Sequence, residues 1–101
     1  MVKLRIATDD TINEIKGRAA VGFCADDDIK SNVFIYGNAV DICAGTCNLI
    51  MNVFDTLPEI FLKQAFVMTL MQEFGLADEK DYDIIGRLVE KTAKKREEKT
   101  A

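Results

Sequence analysis

Apolar and polar residues alternate from Val2 to Ala7 (Val-Lys-Leu-Arg-Ile-Ala), the period of a strand with one wet face. Thr8 to Gly17 is polar, with Ile12 and Ile15 three apart. That spacing predicts a short helix capped by Thr8 or Asp9 and ended by Gly17. Alternation resumes over residues 19–25, Asp26-Asp27-Asp28 makes a turn, and residues 32–36 form a β-branched and aromatic strand stopped by Gly37. Two strands around an acidic turn predict a hairpin, with residues 2–7 as the third strand of one antiparallel sheet.

After Gly37 the period changes to helical. Asn38 is a good N-cap, and the Asp41 carboxylate suits the first turn of a helix over residues 39–54. Thr56-Leu57-Pro58-Glu59 has the form of a capping box with proline in the first turn, which predicts a second helix over residues 58–74. Gly75 fits the position just past its end, with Leu76 as the apolar neighbour of that cap. The short connection predicts an antiparallel helical hairpin. Asp78 opens a third helix, with Tyr82, Ile85, Leu88, Val89 and Thr92 on one face and a frayed end beyond residue 98. The expected fold is therefore α+β: about three antiparallel strands (residues 1–37) packed on an α-helical hairpin (38–75), plus a C-terminal helix (78–98), all in one domain.

Both helices of the hairpin are apolar over more than one stripe, whereas a surface helix shows a polar back. Asp41, Asp55, Glu59, Lys63, Gln64 and Glu73 interrupt them, and neither reaches the roughly 20 apolar residues of a membrane span. Two coverings are left. The helices are buried in the chain's own core, or they meet another molecule across an interface that resembles a core cut in half. The interface reading places Ile50, Met51, Phe54, Phe61, Met68 and Met71 between copies of the chain, as a dimer or larger oligomer.

Composition narrows the chemistry. At 101 residues, 49% apolar, 30% charged and a net charge of −4, the chain is globular and lacks the positive surface that non-specific binding to nucleic acid or anionic membrane requires. Histidine is absent, which removes the commonest general base and metal ligand, and no catalytic constellation emerges. Cys43 and Cys47 stand four apart on one helix face. With Cys24 they offer three thiolates, but no zinc spacing and no fourth ligand, so buried packing is the expectation. The opening Met1-Val2-Lys3-Leu4-Arg5 lacks the apolar run of a secretory signal, and reduced thiols in a cytoplasm are expected. The aspartate triplet lacks the alternating spacing of a calcium loop. No glycine-rich phosphate loop is present, and the one basic run, Lys94-Lys95-Arg96, is followed directly by Glu97-Glu98.

The order strand, Gly37-Asn38, apolar helix, Leu57-Pro58-Glu59, second helix resembles a loose group of small accessory proteins from bacteriophages and mobile elements. The resemblance covers roughly residues 32–75 and carries no catalytic motif. It implies a role of the kind such acidic proteins play as inhibitors of host defence (anti-CRISPR and related proteins) or as host-takeover factors, and a host defence or nucleic-acid-handling protein is the expected target. The expectation is a non-enzymatic, cofactor-free protein that binds a basic protein partner through Asp26, Asp27 and Asp28, with Asp9 and Asp10 nearby. The alternative, from another class, is an oligomer that sequesters a nucleotide-like small ligand.

Overall fold

Leu4 stands opposite Ile15, and Arg5 opposite Glu14, in an antiparallel ladder of β1 (Val2–Ala7) and β2 (Ile12–Gly17). The first two strands thus form their own hairpin, closed at Thr8–Thr11, where the two hydroxyls lie 2.9 Å apart and the Thr8 amide donates to the Thr11 carbonyl at 2.8 Å. This corrects the helix expected over residues 8–17. The Ile12/Ile15 spacing suits a helix, but pairing puts Ile15 beside Leu4 and lets Lys3 meet Glu14 at 3.4 Å. These facts come from a computed structural model that describes residues 1–27 and 31–100.

The second hairpin joins β3 (Ala20–Ala25) and β4 (Ser31–Tyr36), with Val21 opposite Ile35 and Phe23 opposite Val33. Among the described residues no hydrogen-bonded ladder joins the two hairpins, so the chain has two 2-stranded sheets where one three-stranded sheet was expected. Gly37, at φ +126°, turns the chain out of β4, and a Cβ there would lie 2.5 Å from that of Ala19. Asn38 then caps α1 (Ala39–Thr56): its Oδ1 accepts from the Asp41 amide at 2.9 Å, and its Nδ2 donates to the Asp41 carboxylate at 2.8 Å.

Thr56 ends α1 and opens nothing. Its hydroxyl donates back to the Asn52 carbonyl at 2.7 Å, so the expected capping box does not form. α2 (Ile60–Glu73) starts instead from an extended Glu59 that makes no side-chain cap. Its end is as expected. Gly75 is left-handed at φ +70°, and the amides of Gly75 and Leu76 return to the carbonyls of Gln72 and Met71 at 2.9 and 2.8 Å. Asp78 caps a short 3₁₀ turn, Glu79–Asp81, that leads into α3 (Tyr82–Thr100).

The fold is α+β, with all strands preceding all helices. It divides into two compact units, Met1–Ile50 and Met51–Ala101, and the boundary falls within α1. In the second unit the principal helix packing is α2 against α3. Phe54, Met68, Ile85, Val89 and Ala93 form its core, with Met51, Phe66, Val67, Met71 and Ala77 packed around them. Every buried residue among those described belongs to this unit. The buried stripe of α3 is Ile85, Val89 and Ala93, one i, i+4, i+8 row. Tyr82 and Leu88, expected on the same face, are more than half exposed.

Candidate interaction surface

Among its described residues the first unit is a set of faces without a buried core. Alternation puts Val2, Leu4, Ile6 and Ile15 on one side of the β1–β2 hairpin, and Lys3, Arg5, Glu14 and Lys16 on the other. The charged side guards that sheet, as edge strands exposed to other chains usually are. The β3–β4 hairpin has no such guard: none of the twelve residues of Ala20–Ala25 and Ser31–Tyr36 is charged, and none is proline. One of its faces carries Ala20, Gly22 and Cys24 with Tyr36, Phe34 and Asn32, and there the Phe34 ring lies across Gly22. The opposite face carries two cross-strand pairs, Val21/Ile35 and Phe23/Val33. Phe23 and Val33 are each 68% exposed and Ile35 60%. Contiguous apolar side chains this open are what interaction surfaces present.

Charge is distributed at the ends of this hairpin. Asp26 and Asp27 follow β3 directly and are exposed. Asp28 and Lys30 lie outside the described residues. At the opposite end Arg18 donates to the Asp41 carboxylate at 3.1 Å while its side chain stays 79% exposed. Asp9 and Asp10 are exposed in the turn of the other hairpin, on a separate sheet from Asp26 and Asp27.

In the second unit, two residues assigned to an oligomer interface prove to be internal. Phe54 and Met68 are each 3% exposed, filled against by α3. Met51 and Met71 pack partly against the same core, and Phe61 is open. Ile50, in the first unit, is half-buried. Phe61 lines a groove between α2 and α3 with a volume of about 530 Å³, beside Tyr82, Arg87 and Glu90. Gln64 crosses its floor, donating to the Gly86 carbonyl at 3.1 Å and to Glu90 at 3.3 Å.

At the far end of α3, Arg96 grips the Asp55 carboxylate through Nε and Nη2, at 2.6 and 2.5 Å. That bidentate bond holds the Asp55 carboxyl below the usual carboxylate range and the Arg96 guanidinium above its own. Lys63 closes the same corner. Its Nζ donates to the Phe54 carbonyl at 2.6 Å and sits 4.8 Å from the centre of the Phe54 ring. These polar groups are already engaged with one another, and the corner reads as a helix clasp.

Cys24, Cys43 and Cys47 are all exposed, where buried packing was expected. Among the described residues no cluster of acids and cysteines is arranged to hold a metal ion, and no helix is long and apolar enough to cross a membrane. The chain matches no protein-family model, no curated protein and no solved structure.

Proposed function

We propose that this protein works by associating with another protein and not by catalysis, in the manner of a small inhibitor. One observation carries the reading. Among the described residues, the first unit buries none, yet it holds Phe23, Val33 and Ile35 open on a hairpin with no charged guard. A two-stranded sheet is at best marginally stable in water, and a third layer against its apolar face supplies what it lacks. The net charge of −4 and the acidic turns at Asp9-Asp10 and Asp26-Asp27 favour a basic partner, drawn in by long-range attraction. Nucleic-acid-handling proteins have that character, and the resemblance to phage accessory proteins points to the same class of target.

The test is affinity capture with the full chain beside a Phe23→Ser/Val33→Thr variant, in a bacterial lysate. The expected result is a basic protein retained by the parent and lost by the variant. Once purified, that protein should lose nucleic-acid binding when the parent chain is added. Equal retention by both chains, or a captured protein whose activity is untouched, contradicts the proposal.

A further inference from the structure

We propose that Cys43 and Cys47 form a paired-thiol site on α1, which captures a trivalent arsenical by bonding both sulfurs to one arsenic atom. The site is separate from the β3–β4 face and does not depend on the association reading.

Placement comes first. Both residues lie within α1 (Ala39–Thr56) four positions apart, so they share a face one turn from each other. Both are exposed free thiols. Val40, on the same face in the preceding turn, is 78% exposed, and Ala44 beside the pair is exposed as well, so the approach is open. From Ile42 to Phe54 the helix carries no charged side chain. A neutral reagent with an aromatic body therefore has no charge of α1 to desolvate as it settles there.

The spacing then selects the chemistry. Side chains four apart on a helix have their Cβ atoms about 5–6 Å from each other. A disulfide needs about 3.5–4.5 Å between its Cβ atoms, so direct oxidation of the pair would require the turn to unwind. One inserted atom supplies the missing span. Two thiols are too few for zinc, which takes four ligands. An arsenic(III) that already bears one carbon substituent has two valences left, and the pair fills both. Gly45 lies between the cysteines and is the poorest helix former in α1, with nothing within 4 Å of the place a Cβ would take. The turn can therefore adjust to bring both sulfurs onto one atom.

With phenylarsine oxide the step is a condensation. Each thiol gives up its proton, two arsenic–sulfur bonds form and the arsenic–oxygen bonding is lost. The oxygen leaves with both protons as one water. Arsenic stays trivalent and neither sulfur changes oxidation state, so no oxidant or reductant is consumed. The first bond ties the arsenic to the helix and makes the second intramolecular, which favours the pair over Cys24 on β3.

Titration of the reduced full chain with phenylarsine oxide, followed by counting the thiols left for a maleimide, tests the site. One equivalent should protect two of the three thiols. Excess monothiol should not release them, and a 1,2-dithiol should. Cys43→Ser or Cys47→Ser should weaken uptake roughly 100-fold or more, whereas Cys24→Ser should leave it unchanged. A Cys47→Ser/Asn48→Cys variant keeps the thiol count but moves one thiol off the shared face, and it should lose tight uptake too. Helical circular dichroism checks that each variant keeps its helices. Tight uptake by the displaced-thiol variant or by either single variant overturns the proposal, as does an arsenic that joins Cys24 or bridges two chains by intact mass. Protection of only one thiol in the parent chain overturns it without any variant.

Discussion

The two units of the chain are nearly equal in length and reach opposite solutions to the same problem. Residues 51–101 bury Phe54, Met68, Ile85, Val89 and Ala93 against one another, because helices α2 and α3 each turn an apolar row toward the other. Residues 1–50 hold their apolar residues just as regularly, in two hairpins with correct alternation, and bury none among those described. Regular local structure is therefore not the same as a core. A helix pair closes on itself, whereas a two-stranded sheet has one apolar face and needs another layer to cover it. The half that lacks a layer is the half for which association is proposed.

Matched truncations of one phenylalanine in each unit give the largest expected contrast. Phe54→Ala removes a ring from the core and should cost about 3–5 kcal/mol, at any protein concentration. Phe23→Ala removes a ring that is 68% exposed, and should cost within about 0.5 kcal/mol in dilute solution. Chemical denaturation of both variants checks this, and equal costs for the two would erase the distinction between the units.

Gly37→Ala comes next. Its φ of +126° is unfavourable for any L-residue, and the new Cβ would meet the Ala19 Cβ at 2.5 Å and its Cα at 2.9 Å. The expected cost is about 1–3 kcal/mol, confined to the first unit. Amide spectra should show the hairpins disturbed and the α2–α3 signals in place.

The Asp55–Arg96 clasp should have a smaller effect, and one that depends on pH. Its folded-state carboxyl titrates below the ordinary value of 3.8, so its contribution to stability is present above that pH. The contribution is lost as pH falls through the folded-state value, when Asp55 takes up a proton. Both side chains are partly exposed, so salt should weaken the pair. Melting temperatures of the parent and of Arg96→Gln should differ at neutral pH and low salt, and converge at strongly acid pH. A difference that persists in acid would assign Arg96 a packing role instead.

The cysteines should matter least. With all three exposed, Cys43→Ser/Cys47→Ser should change stability by within about 0.5 kcal/mol. A thiol reagent should modify all three in the native chain without denaturant.

Features written into neighbouring residues could be read directly from the sequence. The Asn38 cap with Asp41, the left-handed Gly75 and the Asp78 cap each depend on a few consecutive positions. Features set by distant partners could not. Nothing near Ile12 or Ile15 reveals that β1 will pair with them, so a helix spacing misled. Nothing near Thr56 reveals that its hydroxyl will turn back to Asn52. Arg96 and Asp55 are 41 positions apart, and their pairing leaves no local trace. The excess of apolar surface was legible from composition and period. Its location was not: the helices first assigned to an interface bury Phe54 and Met68 internally, and the open face lies on a hairpin that looked conventional.

Native-state hydrogen exchange on the full chain in dilute solution tests most directly whether the first unit needs an outside layer. Amides of β3 and β4 should exchange rapidly in the lone chain, because their apolar face lacks a covering layer. Amides around Met68 and Val89 should exchange slowly. Equal, slow exchange of the β3–β4 amides in a dilute lone chain would contradict the account, because the first unit would then be stable without a cover.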